Sequence, residues 1–392
     1  MFLPFSEEHI EQLGAAHTVK EIMQQPKLWK KVYELVLNQK VKIEQFFKHL
    51  SDEYSRVRFV FTGAGTSSFV GETVVPYLRK NYSSKGFEFH AIATTDLVSA
   101  PTYYFQDDIP TVLVSFARSG NSPESVAAVE LGKKMISDFY QIVITCNEKG
   151  HLAEKVKDDS KALLLLMPTE SNDLGFAMTS SFTCMLLSSL LVFQTEKLES
   201  LKGIVDKLST CGESFLNELS NELSQIFQFD FERIIYLGSG ILGSIARESS
   251  LKVLELTSGK VISMHETPLA FRHGPKSILN DKTLVVLFLS RDSYTRKYDK
   301  DLLKELYGEN LDLKIVSIDS CYDQTVQKTT DWQLNVHNDG ELEDIYLVFF
   351  YVLFAQALAV KKSIQLGLKV DNPSVNGMVN RVVQGVTIHA LQ

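Results

Sequence analysis

One local pattern occurs in both halves of the chain, and it restricts the fold more than any other feature. Arg58-Phe-Val-Phe-Thr62 is a short β-type run, followed by Gly63-Ala-Gly65-Thr-Ser67 and a helical period. Arg233-Ile-Ile-Tyr-Leu237 is followed in the same way by Gly238-Ser-Gly240-Ile-Leu242. A buried strand that feeds a glycine turn and then a helix opens a parallel sheet covered on both faces. The rhythm continues after each opening. β-type runs at 87–93, 111–116, 140–145 and 162–167 alternate with helical segments around 67–80, 122–137, 151–157 and 174–193. In the second half the runs lie at 260–264, 283–289, 313–318 and 332–336, with helices up to about Ser258 and over 342–363. The pattern predicts a helical segment over 1–55, with Thr18-x-x-Glu21 as a capping box. A first α/β domain over 56–195, a helical connection over 196–230, a second α/β domain over 231–369 and a tail over 370–392 follow.

Length and composition agree. A chain of 392 residues exceeds one ordinary core. The start, MFLPFSEEHI, is acidic where a secretory leader would be basic. The apolar runs at 162–167 and 345–360 are too short or too polar-flanked to span a bilayer. Cys146, Cys184, Cys211 and Cys321 lie far apart and form no Cys-x-x-Cys pair, so reduced thiols in a cytoplasmic protein are expected. No histidine or cysteine spacing suits a metal. The net charge of −8 argues against nucleic-acid binding, which needs a basic footprint. It leaves room for a phosphate, which backbone N–H groups and hydroxyls at a helix start can hold.

Two segments have that chemistry. Thr62-Gly-Ala-Gly65-Thr66-Ser67-Ser68 joins a strand to a helix, and its glycines allow close backbone approach. Ser115-Phe-Ala-Arg118-Ser119-Gly-Asn121-Ser122-Pro-Glu-Ser125 follows another strand. Ser122 before Pro123 reads as an N-cap, but capping does not explain Arg118, Ser119 and Asn121 together. Two hydroxyl-rich helix starts on one sheet point to one crevice.

In the second half, Lys252 and Glu255 share a helix face, either as a solvated ion pair or as working groups. His265-Glu266 and Arg272-His273-Gly-Pro275 follow, the latter a rigid loop presenting an imidazole that titrates near neutral pH. A rival reading exists: Gly238-x-Gly240-x-x-Gly243, with Glu266 downstream, fits a dinucleotide fingerprint.

These motifs, with Ser180-Ser-Phe-Thr183 and Arg381-Val-Val-Gln-Gly-Val-Thr-Ile388, resemble double sugar-isomerase (SIS) domain proteins. Within them the likeness is to the tagatose-6-phosphate ketose/aldose isomerase type, also described as galactosamine-6-phosphate deaminase/isomerase. The resemblance implies two tandem flavodoxin-like domains, each a five-stranded parallel sheet flanked by helices. It also implies a homodimer with a shared active site and no cofactor. The chain is similar to the isomerase half of glucosamine-6-phosphate synthase. By that likeness Ser67, Ser119 and Ser122, with Gly65, Thr66, Arg118 and Asn121 around them, would hold the phosphate. Glu255 would move a proton between C1 and C2, Lys252 would steady the enolate or the sugar oxygens, and His273 would open the ring from the partner subunit. Gln384 stands where the synthase has an imine-forming lysine, and the first cysteine is Cys146, so no glutaminase is expected. The implied reaction turns galactosamine 6-phosphate into tagatose 6-phosphate and ammonia. Plain isomerisation of a hexose 6-phosphate, or a non-catalytic sugar-phosphate sensor, are the alternatives, and Glu255 with His273 weighs against the sensor.

Overall fold

The computed structural model describes all residues except 1, 83–85, 310, 337–341, 375, 376, 378, 382, 384 and 392. The chain divides into two compact units. One comprises Lys27–Asp173, Met178–Val205 and Asn376–Gln392. Its sheet contains β1 (Val57–Thr62), β2 (Phe87–Ala91), β3 (Thr111–Ala117), β4 (Phe139–Thr145) and β5 (Ala162–Leu166), all parallel, in the order β2-β1-β3-β4-β5. Every residue of β3 and β4 is buried, as expected of central strands covered on both faces. Val60, Leu113 and Val143 pack with Ala128, Val129 and Leu152. Phe59, Phe61, Phe89 and Phe193 form an aromatic cluster, with Phe61 and Phe193 ring centroids 5.3 Å apart.

The other unit comprises Met1–Pro26, Leu174–Ala177 and Asp206–Val375. Its strands are β6 (Arg233–Gly238), β7 (Ile262–Glu266), β8 (Thr283–Phe288), β9 (Lys314–Asp319) and β10 (Trp332–Asn335). Their order, β10-β9-β8-β6-β7, is the same topology read from the opposite edge. Ile235, Leu237, Val285 and Leu287 pack against Phe271 and against Leu302, Leu303 and Leu306 of the helix Thr295–Tyr307.

Several local expectations need correction. Thr18 does not cap a helix. It lies inside Ala16–Asn38, and the carboxylate of Asp371 accepts from His17 N (3.0 Å), Thr18 N (2.8 Å) and Thr18 Oγ1 (2.6 Å). Glu21 instead accepts from the backbone N–H groups of Leu174 and Gly175. The helix expected from 174 begins at Ser180. The apolar run near the end is not too short to span a bilayer: the helix Asp344–Gln365 has 22 residues and the length and apolarity of a membrane span, and 89% of its most apolar window is buried inside the fold. The helix Thr295–Tyr307 is an addition to the predicted elements.

Candidate active site

The chain runs from β1 to β2 on one side, and β3 pairs with β1 on the other, with Thr62 opposite Ser115. The point between β1 and β3 is therefore the switch point where open α/β sheets bind ligands, at the carboxyl ends of the strands. Both hydroxyl-rich segments leave the sheet there. Gly65 adopts φ +56°, a conformation that a side chain disfavours. At Gly63 a Cβ would lie 2.5 Å from the backbone of Ser67, so only glycine lets the helix Thr66–Tyr82 start so close to its strand. Thr66 and Ser67 are buried, and the Ser67 hydroxyl donates to Met178 Sδ at 3.7 Å.

The second segment is fixed by its neighbours. Asn147 Nδ2 donates to the Ser119 carbonyl (2.8 Å), the Ser119 hydroxyl accepts from Asn121 N (3.3 Å), and Asn121 Oδ1 accepts from His151 N (2.9 Å). Asn121 thus has a structural duty at the start of the helix His151–Val156. Ser122 sits at the cap position of Pro123–Met135, yet its side chain makes no cap bond and donates to Ser125 Oγ at 2.6 Å. Capping therefore does not account for its hydroxyl. Arg118 is buried, and its Nη2 donates to the Arg381 carbonyl at 2.6 Å. Arg381 in turn donates to the carbonyl of Asp173.

Asp173 was not legible as a site residue. Its fully buried carboxylate accepts from Thr179 N (2.8 Å), Ser180 N (3.0 Å), Ser181 N (2.9 Å), Thr179 Oγ1 (3.1 Å) and Ser181 Oγ (2.6 Å). An anion at a helix start is thereby supplied from within the chain, so Ser180 and Ser181 are engaged with Asp173. Gln384 lies outside the described residues.

The matching turn of the other unit has the same backbone and different chemistry. Gly240 adopts φ +58°, and a Cβ at Gly238 would lie 2.4 Å from Leu242 O. Ile241 and Leu242 stand where the first turn has Thr66 and Ser67, so the hydroxyls are gone. Ser239 Oγ donates to the buried Asp299 carboxylate at 2.5 Å, and Asp299 also accepts from Ser290 N (3.0 Å). Burial pushes the Asp299 carboxyl up to about 6. Gly243 is accounted for by packing, since a Cβ there would lie 3.2 Å from Gly238 O. Glu266 Oε1 accepts from the neighbouring Thr267 N at 2.8 Å. The fingerprint-like glycines are thus accounted for by helix–strand contact at Gly238 and Gly243 and by a positive φ at Gly240.

The helix Ile241–Leu256 carries the remaining candidates. Lys252 is fully buried, so the solvated-pair reading fails. Its Nζ donates to Glu255 Oε2 at 2.6 Å and lies 3.3 Å from Glu248 Oε1. Glu248 is also fully buried, whereas the Glu255 side chain is 26% exposed. Burial alone would lower the lysine pKa, but the two carboxylates outweigh it and hold the ammonium above its ordinary value. The triad Glu248–Lys252–Glu255 thus puts an accessible carboxylate beside an ammonium donor. Glu248 escaped the sequence reading, although it stands one turn before Lys252 in the direction that favours pairing. His273 is exposed, and its ring makes no hydrogen bond or ion pair with any of the described residues.

The SIS domain family matches residues 229–361. The chain is 40% identical to D-galactosamine-6-phosphate deaminase AgaS from Shewanella sp. (strain ANA-3), across 99% of this chain and 95% of that one. It is 41% identical to D-galactosamine-6-phosphate deaminase AgaS from Escherichia coli, across 96% of each. A crystal structure of tagatose-6-phosphate ketose/aldose isomerase from Escherichia coli superposes with a TM-score of 0.88 at 36% identity, across 100% of both chains. With identity at this level over nearly the full length, the chain belongs to the SIS-domain family of D-galactosamine-6-phosphate deaminases named AgaS.

Proposed function

We propose that this chain converts D-galactosamine 6-phosphate and water into tagatose 6-phosphate and ammonia. The reading is supported by the names of its full-length relatives and by the chemistry of the two units. The observation that carries it is the buried Lys252 ammonium held against the accessible carboxylate of Glu255.

The residues take the following parts. Ser67, Ser119 and Ser122, with the backbone around Gly65 and Thr66, hold the 6-phosphate at the β1–β3 switch point. Arg118 adds charge beside them. The phosphate grip orients carbons remote from it, which is binding energy used for positioning. His273 opens the sugar ring, and its exposure in one chain supports delivery to the site of a second subunit in a homodimer. Glu255 takes the C2 proton, Lys252 stabilises the developing oxyanion at the former aldehyde, and Glu255 returns the proton to C1. The C1 oxyanion takes up a proton as the amine gives up an N–H proton, so the C2 amine becomes an imine, which water hydrolyses to ammonia and the ketone. On a hexose 6-phosphate the same transfer ends at the ketose, the activity named for the Escherichia coli structure.

The deciding experiment is a panel of hexosamine and hexose 6-phosphates assayed for ammonia and ketose together. Equal amounts of ammonia and tagatose 6-phosphate from the galacto amino sugar are expected. Ketose from hexose 6-phosphates with no ammonia from any amino sugar would overturn deamination.

A further inference from the structure

The loop that presents His273 is braced on both sides by one carboxylate. Thr267 caps the short helix Pro268–Phe271 by accepting from Ala270 N at 3.3 Å, and Phe271 is fully buried against Leu302, Leu303 and Leu306. Immediately after this anchor Arg272 Nε donates to Glu305 Oε2 at 2.6 Å. Gly274, at φ +120°, reverses the chain with a backbone that other residues adopt only under strain. Lys276 then returns to Glu305 Oε1, on the other oxygen of the same carboxylate, and also to Glu309. His273 stands exposed between the two struts, and among the described residues no hydrogen bond or ion pair on its ring fixes its direction.

We infer that Glu305 is a positioning residue that holds the His273 loop in the geometry needed for ring opening. This rests on the ring-opening role proposed for His273. A carboxylate that bridges the residues before and after an apex restrains both ends of the loop at once. The half-buried setting, with 26%, 25% and 35% exposure for Arg272, Lys276 and Glu305, strengthens the pairs over fully solvated ones.

The test compares turnover of the ordinary cyclic sugar phosphate with that of a 4,5-dideoxy analogue, which can close neither a furanose nor a pyranose ring. Glu305→Gln keeps the size and removes the charge that ties Arg272 and Lys276 together, leaving Lys276 with Glu309 alone. It should slow the cyclic substrate by about tenfold or more, the scale of a misplaced catalytic group, and leave the analogue within about twofold. Glu305→Asp, which keeps the charge, should recover part of the loss. Lys276→Gln, which releases one strut only, should give a smaller split in the same direction, and it reads the effect even if Glu305→Gln folds poorly. His273→Asn is the reference. If it splits the two substrates while Glu305→Gln and Lys276→Gln slow both equally or neither, the positioning role is refuted. If His273→Asn gives no split, the ring-opening assignment fails and this inference falls with it.

Discussion

Replacing Lys252 by methionine tests the triad most directly, because the size of the effect follows from burial. The methionine has similar volume and no charge. It removes the ammonium that lies 3.3 Å from the fully buried Glu248 and 2.6 Å from Glu255, two carboxylates less than about 6 Å apart, close enough for like charges to raise a carboxyl pKa. Removing one member of a buried pair costs about 3–5 kcal/mol, against under about 1 kcal/mol for a solvated pair. The sign with pH follows. Without the ammonium, the folded-state pKa of Glu248 rises above its unfolded value. Such a group stabilises the fold below its unfolded pKa and loses that contribution as pH climbs through the folded one. The deficit should therefore be full at neutral pH and shrink toward about pH 5. Urea unfolding followed by circular dichroism at several pH values measures it. The double variant Lys252→Met/Glu248→Gln removes the Glu248 charge as well and should regain most of the stability without regaining turnover, because the donor for the oxyanion is still missing. A single variant within about 1 kcal/mol of the parent at neutral pH, or a deficit independent of pH, would refute the argument.

The remaining predictions concern the site and one buried acid. Glu255→Gln should lower kcat at least about a hundredfold with little change in KM, and exchange of the substrate C2 hydrogen with solvent deuterium should fall in parallel; normal exchange would place the base elsewhere. Ser119→Ala should raise KM for the sugar phosphate about tenfold, the size of one charge-assisted hydrogen bond, and an unchanged KM would remove Ser119 from the phosphate site. Asp299, raised by burial from 3.8 to about 6, supports the fold below its unfolded pKa and loses that support as pH rises through the folded value, by about 3 kcal/mol in all. Asp299→Asn should therefore gain on the parent between about pH 4 and pH 7 in thermal or urea unfolding, whereas a constant difference would assign no titration to Asp299.

The strands were legible because a parallel sheet covered on both faces asks for short continuous apolar runs, and β3 and β4 are such runs. What failed was information that sequence spacing does not contain. The partner of Thr18 is Asp371, 353 positions away, and no local pattern foretells an acceptor at that distance. The helix Thr295–Tyr307 buries Asp299, Leu302, Leu303 and Leu306, and its first turn is polar, so its apolar face was too short to register as a period. Yet this helix carries Glu305, the brace of the His273 loop. Spacing placed Lys252 and Glu255 on one face but could not give the depth of that face, and depth is what separates a weak surface pair from a buried triad. The two glycine turns make the same point about chemistry. Gly65 and Gly240 adopt nearly one conformation, and Gly63 and Gly238 allow the same close approach of helix to strand. The backbone therefore does not decide which turn takes an anion. Side chains do: Thr66 and Ser67 at one helix start, Ile241 and Leu242 at the other, where the buried carboxylate of Asp299 already holds Ser239. A phosphate brought to the second turn would meet that carboxylate and lack hydroxyl partners, so one fold used twice yields a single candidate phosphate site.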